Sequence, residues 1–391
     1  MKRGGKVIRT RVARLYPNAS MKKVLDELCD YRRYCWNLGL ETWNRMYEAH
    51  SLMPEDNPSP SARRVRDELV ENKADWQFSL SARTLQLAID DLGKAWQNFL
   101  SKSQKNWGRP MFKSKKAARQ GFKTDRAKIV DGKLRLDKPL GVQFAWQDMR
   151  MDSSGMPEGE LKTVSVFREN GKYYAALPIE TTVAFKERTG RKTAVDVNVG
   201  HFDWTEERIS VLPKRLKRIY ERIRHGQRIL AKKRNANGEN AGQSKNYAKA
   251  RTKLQRDYAK ARQISHDIVQ KFTARLVQGY DEIVIEDLCV KDMLMSHVAS
   301  KGMHRSLFGY FRQVLAYKCQ WYGKKLIVAD SLYPSTQRCS VCGHIKTGEE
   351  KITLSGNKKH GTKHSEYVCY ECGARMDRDR NAVMNLLALA N

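Results

Sequence analysis

The chain has 391 residues, with 74 Lys or Arg against 43 Asp or Glu, a formal charge of +31, and 40% hydrophobic residues. That apolar share excludes disorder throughout, and self-repulsion of this size gains the fold nothing, whereas a polyanion neutralises it and releases counterions. Nucleic acid is the expected partner, ahead of an anionic membrane surface. No run of about 18 apolar residues marks a membrane span, and the N-terminal MKRGGKVIRTRVARLYP has basic residues but no uninterrupted apolar h-region, so the expected location is cytoplasmic, in association with the bacterial nucleoid.

Residues 6–15 (KVIRTRVARL) predict a strand, ended by Tyr16-Pro17-Asn18. From Ser20, its expected N-cap, a helix carries Val24, Leu28, Tyr31, Cys35, Leu38, Thr42 and Met46 at helical spacing. The three prolines of SLMPEDNPSP (51–60) predict a loop. A second helix is expected around 61–72, and a third from Ser81 with Leu85, Ala88, Leu92, Ala95, Trp96 and Phe99 on one side, making a small helical bundle.

Residues 101–128 hold ten Lys or Arg against one acid, with Trp107, Phe112 and Phe122 interleaved. Cations around planar rings suit a nucleic-acid backbone and its bases; the other reading is a solvated linker whose rings tuck into a neighbouring core. Strand signals return in KLRL, in VQFAW and in a hairpin where TVSVFR and KYYAALP flank Glu169-Asn170-Gly171, Asn-Gly favouring a tight primed turn. Strand 6–15 is expected to join these strands across the helical insertion, giving a small β-barrel.

At residue 191 the pattern changes to alternating α and β. TAVDVNV (193–199), DEIVIED (281–287) and KLIVAD (325–330) are short apolar runs of the kind buried on both faces. Between the first two, residues 211–263 carry 17 Lys or Arg and three acids. Leu216, Ile219, Ile223 and Leu230, then Ala250, Leu254, Ala261, Ile264 and Ile268, make one apolar stripe across an Asn- and Gly-rich reversal at 235–246. The expected element is an antiparallel helical hairpin with a cationic outside that can meet phosphates.

Of eight cysteines, Cys29, Cys35, Cys289 and Cys319 stand in core-like contexts. Cys339-Ser-Val-Cys342 and Cys369-Tyr-Glu-Cys372 form two knuckles, whose four thiolates can wrap one tetrahedral, structural Zn²⁺. His344, His360 and His364 are weaker candidate ligands. Three acids also stand out. Asp196 sits between Val195 and Val197, Glu286 ends Ile-Val-Ile-Glu, and Asp379 opens the expected terminal helix Asn381–Ala390, where it would also serve as a cap. A carboxylate inside a buried strand costs several kcal/mol unless a cation or partner compensates it. Each acid alone has a structural explanation; together, in a basic αβ region, they match the hard oxygen ligands that two Mg²⁺ ions need for phosphodiester hydrolysis.

The stretch from AVDVNVG through IVIEDLCVKDML to PSTQRCSVCG and YVCYECGARMDRDRNAVMNL resembles the RuvC-like nuclease of the TnpB proteins, which bacterial insertion sequences encode and which are related to type V CRISPR effectors. The resemblance extends upstream to RVARLYPN and RPMFKSKK. It implies an RNase H-like (RuvC) nuclease domain at 191–391 with a zinc-ribbon insertion at 335–376, a wedge-type β-barrel at 1–19 and 116–190, and a helical recognition lobe at 20–115. It implies that Asp196, Glu286 and Asp379, and not Asp377, are the catalytic ligands of two Mg²⁺ ions. The implied partners are a guide RNA and target double-stranded DNA, cut beside a short adjacent motif. One departure stands out: Asn198 replaces the glycine usual two positions after the first acid. The alternative is therefore a nuclease-inactive, RNA-guided DNA-binding transcriptional repressor on the same scaffold, and a transposon strand transferase is a third.

Overall fold

A computed structural model describes residues 5–101, 108–117, 119–138, 148–198, 200–237, 244–287, 307–353, 356–357 and 359–390. Two compact units result, Lys6–Thr182 and one built on Val183–Asn391.

The first unit opens with β1 (Lys6–Leu15), α1 (Ala19–Leu52), α2 (Ala62–Glu71), the single turn α3 (Asp75–Phe78) and α4 (Ala82–Leu100). Its strands continue with β2 (Arg119–Thr124), β3 (Lys128–Val130), β4 (Lys133–Arg135), β5 (Met149–Arg150), β6 (Glu160–Leu161), β7 (Val164–Glu169) and β8 (Lys172–Thr182). Helix α1 is capped by Asn18, whose side chain accepts from the Met21 N–H at 2.8 Å, while the expected cap Ser20 is already helical. Asn18 has the extended backbone that a cap requires. With 34 residues, α1 reaches two cores. Its first turns bring Met21 and Leu25 to Leu15, Phe122, Val166 and Ala175 of the strands; its later turns bring Tyr31, Leu40 and Trp43 to Val65, Ile89 and Trp96 of the helices.

The strands run in the order β1-β8-β7-β2, with β6 also on β8. Asn170 (φ 53°) and Gly171 (φ 74°) both adopt the left-handed region that the primed turn between β7 and β8 demands. The expected closed barrel does not form among the described residues. Strands β1 and β2 lie at opposite ends of the pairing order, and the separate sheet β3-β4-β5 meets β1 through one bridge, Leu15 to Met151. The expected strand VQFAW and Trp107 lie outside the described residues. The two remaining aromatics of the basic segment part company: Phe122 is 3% exposed, in the core, and Phe112 is 60% exposed.

The second unit comprises β9 (Lys192–Asn198), β10 (His201–Trp204), β11 (Arg208–Ser210), α5 (Lys214–Asn237), α6 (Lys245–Gly279) and β12 (Glu282–Glu286). It continues with α7 (Phe308–Tyr322), β13 (Lys325–Ala329), β14 (Glu366–Val368), β15 (Arg375–Asp377) and α8 (Arg378–Leu387). Its main sheet has the order β11-β10-β9-β12-β13, with β12 parallel to both neighbours and β10 antiparallel to both of its own. On one face Val195, Val197, Phe202, Trp204, Ile283 and Ile285 pack against Phe272 and Leu276 of α6 and Phe311 and Leu315 of α7. On the other, Ala194, Val284 and Ala329 pack against Val383 and Leu386 of α8. Strand side chains alternate, so Asp196 and Glu286 belong to the α8 face with Ala194 and Val284.

Helices α5 and α6 form the expected antiparallel hairpin, with Leu216, Ile219, Ile223 and Ala261 in its seam. Cys29, Cys35 and Cys319 are buried, while Cys289 lies outside the described residues. No described helix is long and apolar enough to cross a membrane.

A Cβ added at Gly121 would lie 2.6 Å from the Val166 carbonyl oxygen and 2.7 Å from Phe167 Cβ, both fixed by the β2–β7 ladder. Gly121→Ala should therefore cost about 1–3 kcal/mol through overpacking. Calorimetry is expected to show a lower unfolding midpoint for the Lys6–Thr182 unit; an unchanged midpoint contradicts the close approach.

Candidate functional site

The sheet's α8 face gathers acids because of strand alternation. Asp196, 4% exposed, sits in the middle of β9. In β10, Phe202 and Trp204 enter the core, which turns His201 and Asp203 to the opposite face. The register pairs Asp203 with Asp196 and His201 with Asn198. The Asn198 side-chain amide donates to both carboxylates, at 2.8 Å to Asp196 and 3.2 Å to Asp203. Glu286 ends β12 half-buried and accepts from the Ser335 hydroxyl at 3.1 Å.

Asp379 comes to this face from α8 and is 7% exposed. It is not the helix cap expected from the sequence. Asp377 caps instead, accepting from the N–H groups of Asp379 (3.0 Å) and Arg380 (3.1 Å), and the helix begins at Arg378. The first acid of Asp-Arg-Asp serves the helix dipole, which leaves the second free for the sheet. Asp379 accepts from Arg208 at 2.8 Å, from Arg378 at 3.2 Å and lies 3.3 Å from His201 Nε2. Arg208 also donates from Nε to Asp203 at 2.6 Å.

These contacts create two electrostatic regimes. Burial would raise the carboxyls of Asp379 and Asp203, but His201 and Arg208, with Arg378 at Asp379, outweigh it and hold both below the usual range. His201 is in turn pushed up to about 9 by its hydrogen bonds to Asp203 and Asp379. At Asp196 burial prevails: its carboxyl is pushed up to about 7, reinforced by the charges of Glu286 and Asp379 and only partly offset by Asn198. Burial likewise raises Glu286 against the Ser335 hydrogen bond.

Asp196 thus lies near enough to both other acids to feel their charges, while the tightest group, with ligand atoms all within 4.8 Å, is His201, Asp203 and Asp379. The donor set is made of hard oxygens and the excess negative charge sits at Asp196, which suits a divalent cation such as Mg²⁺. Asp379 belongs both to that close group and to the trio expected from the sequence, so Asp196, Asp203, Glu286 and Asp379 are the carboxylates on this face that could offer oxygens to such a cation. His201, Asp203 and Arg208 were not singled out from the sequence. The signal was the alternation of polar and apolar residues in His201-Phe202-Asp203-Trp204, directly after the strand bearing Asp196.

The four knuckle thiols make a second centre. Sγ atoms of Cys339 and Cys372 lie 3.7 Å apart and those of Cys342 and Cys369 3.6 Å apart, with all four within 4.8 Å. A tetrahedral zinc with bonds of about 2.3 Å requires sulfurs about 3.8 Å apart. Each knuckle repeats the same turn: Gly343 (φ 81°) and Gly373 (φ 73°) donate to the carbonyls of Cys339 and Cys369 at 3.0 Å, and those cysteines donate to His344 and Ala374 at 2.8 Å. The thiols share their first negative charge. Burial opposes ionisation at Cys339, but N–H groups of Cys342 and Val341 and the thiols of Cys342 and Cys369 bring it down to about 7; at Cys342 the His344 N–H favours the thiolate, yet desolvation and the thiols of Cys372, Cys369 and Cys339 push it up to about 12.

Lys346, 1% exposed, has no hydrogen-bond partner for its ammonium among the described residues; the ammonium sits 3.4 Å from the Tyr370 ring centre and 5.1 Å from that of Tyr367. Burial pushes its ammonium below the usual range, opposed only in part by the charges of Glu350, Cys369 and Cys339. A buried cation so placed suits a zinc tetrathiolate, whose net charge is negative. The histidines stand aside: His344 pairs with Glu350 at 2.8 Å, His360 stacks on Tyr370, and His364 is exposed.

The two centres are physically joined. Buried Asn381 accepts from the Ser340 N–H at 2.9 Å and donates to the Arg338 carbonyl at 2.7 Å. Asn385, one turn on, donates to the carbonyls of Ser335 (2.8 Å) and Arg338 (2.7 Å). The helix that carries Asp379 is thereby stitched to the first knuckle.

Fold and site together define a strongly basic, mixed α/β protein that combines an acid-bearing sheet with a four-cysteine knuckle pair. Three family models match: "Helix-turn-helix domain" over residues 7–51, "Probable transposase" over 176–297 and "Cas12f1-like, TNB domain" over 308–386. Over 7–51 the structure has a strand and one long helix. A Streptomyces pristinaespiralis protein named "Putative RNA-guided DNA endonuclease" is 31% identical over 318 residues, 79% of this chain and 71% of that one. "Putative RNA-guided DNA endonuclease InsQ" of Escherichia coli K12 is 26% identical, over 80% of this chain and 75% of its own. The chain belongs to the TnpB family. Among solved structures, "Cryo-EM structure of the Cas12f1-sgRNA-target DNA complex" contains a chain of similar fold, with TM-score 0.56 and 13% identity over 97% of this chain and 98% of that one.

Cys342→Ser is expected to abolish zinc binding and, through the Asn381 and Asn385 contacts, to speed amide hydrogen exchange in Arg378–Leu387. Metal content and exchange mass spectrometry check both; unchanged protection of that helix rejects the coupling.

Proposed function

We propose that the protein is an RNA-guided DNA endonuclease of a bacterial insertion sequence, with a RuvC-like (RNase H-like) nuclease domain at 191–391 and a zinc ribbon at 335–376. The names of its relatives support the activity class. The reading is supported by the placement of Asp196, Glu286 and Asp379, from β9, β12 and α8, on one face of a sheet, with the charges of the other two acting on Asp196, in a chain of charge +31. By this reading residues 1–19 and 116–190 form the wedge and 20–115 the recognition lobe. Guide RNA pairs with the target, so base pairing reads sequence while the protein holds backbone shape and a short adjacent motif.

A pair of Mg²⁺ ions held by the three carboxylates would supply an activated water on one side of the scissile phosphate and a stabilised leaving oxygen on the other. The chain's own contribution is placement. Asn198 fixes the carboxylates of Asp196 and Asp203 relative to each other. Arg208 and His201 balance the charge of Asp379 and Asp203, which lets these acids stay ionised although buried. The cationic outside of the α5–α6 hairpin offers phosphate contacts.

In a ribonucleoprotein purified with its copurifying RNA, Asp379→Ala is expected to leave RNA binding intact and to reduce cleavage of a matched plasmid below detection; undiminished cutting rejects the assignment. The rival reading, target binding without cutting, takes its support from Asn198, whose amide bridges Asp196 and Asp203 at the position where the family resemblance implies glycine. It requires tight target occupancy with no nicked product at any Mg²⁺ concentration, which the same assay reads.

A pH test addresses Asp196 alone. Its folded pKa is raised to about 7, so its protonated form is favoured in the fold. Its contribution to the stability of metal-free protein is therefore full below about 4, the unfolded value, and is lost as pH rises through about 7. Asp196→Asn should abolish cleavage and, in chelator, melt progressively higher than the parent as pH rises from about 4 to about 7. A melting difference that stays constant across this window contradicts the assignment of burial at this carboxyl.

A further inference from the structure

The α5–α6 hairpin contains a cavity of about 770 Å³ that the placement of the acids does not use. Its floor is apolar, formed by buried Ile223 and Ala261. Ser265, 2% exposed, also lines it, and its hydroxyl has no hydrogen-bond partner among the described residues. A helical serine ordinarily returns its hydroxyl to the carbonyl one turn back; this one is buried and unmatched. At the rim stand Arg224 and Arg228, which have no carboxylate partner among the described residues, whereas nearby Arg222 is paired with Asp257 at 2.6 Å. Tyr258, at the same rim and 41% exposed, has its hydroxyl held by the Gln227 amide at 2.6 Å, which restrains the ring.

We propose that this cavity takes one unstacked nucleotide of the nucleic acid lying along the hairpin, its phosphate on Arg224 and Arg228 and its base over Ile223 and Ala261 beside Tyr258. The inference rests on the nucleic-acid reading above and goes beyond phosphate contact. A continuous duplex can touch the rim guanidinium groups, but its bases are stacked and cannot reach the floor. An unpaired base brings a flat apolar face and a polar edge, which match the floor, the tyrosine ring and the unpartnered hydroxyl. The volume lies within the range of small-ligand sites, and the guanidinium forks suit phosphate oxygens. The nucleotide can come from the guide RNA or from a DNA strand, and the chemistry of the pocket is the same for both.

The test uses the whole ribonucleoprotein with its copurifying RNA and a matched DNA target. A photoreactive benzoylphenylalanine replaces Tyr258 or, as a control on the exposed side of the same hairpin, Lys260. Cross-links are mapped by sequencing the RNA and each DNA strand. The expected result is a cross-link from position 258 concentrated at a single unpaired nucleotide, the strand carrying it naming the source. Ala261→Trp, which fills the floor, and separately the exposed pair Arg224→Ala and Arg228→Ala, should each reduce it about tenfold and leave the Lys260 control unchanged. The double arginine variant retains the apolar seam, so it decides the matter if Ala261→Trp does not fold.

Cross-links spread over paired nucleotides, or a ribonucleoprotein that assembles without any cross-link at 258, overturn the pocket and leave the broader function standing. A chain that binds neither RNA nor DNA overturns the broader function and the pocket with it.

Discussion

A carboxylate enclosed in an apolar strand is the constraint around which the second unit is arranged. Asp196 lies between Val195 and Val197, which are committed to the core, and its own side chain is turned by the pleat towards α8. Burial and the proximity of Glu286 and Asp379 both disfavour its charge. The neighbouring acids meet different conditions: Asp379 and Asp203 have His201 and Arg208 at hand, and remain ionised. One face of a five-stranded sheet therefore contains a compensated region and an uncompensated one within reach of each other. The guanidinium of Arg208 compensates the first, while the second has no such counter-charge beside Asp196.

The knuckle pair follows the same logic with softer ligands. Thiols brought together by two glycine turns cannot all ionise unaided, and Lys346 is enclosed next to them with no hydrogen-bond acceptor among the described residues. A divalent metal there, with the ammonium, would balance the charge of four thiolates. This balance matters beyond the knuckles because Asn381 and Asn385 fasten α8 to the carbonyls and N–H that precede and enter the first of them. The short sequence Asp377-Arg378-Asp379-Arg380-Asn381 distributes three tasks over five residues: a cap, a carboxylate for the sheet, and a clasp on the knuckle.

Much of this was legible from residue pattern. The strand at 6–15, the helices after it, the Asn170-Gly171 turn and the hairpin of α5 and α6 follow from period and turn chemistry, which are local properties. The cap of α1 was misassigned by two residues because Asn18 and Ser20 are both competent caps and only backbone conformation separates them. The open sheet was not legible, since closure depends on which edges meet and not on any strand's own sequence. Phe122 and Phe112 look alike in a basic segment, yet strand pairing buries one of them. The partners of the acids, His201, Asp203 and Arg208, escaped because their contacts join positions up to 178 residues apart.

Strand β10 carries both kinds of cargo at once, phenylalanine and tryptophan for the oily side and histidine and aspartate for the ionic side. A slip or insertion of one residue would exchange the two sets, driving ring systems among the carboxylates and leaving an acid and an imidazole within hydrocarbon. Changes of length in the reversal between β9 and β10 are therefore tolerable only when they preserve parity. The four residues from His201 to Trp204 act as a phase lock: they permit the ionic centre to exist in one alignment of the sheet and in no other.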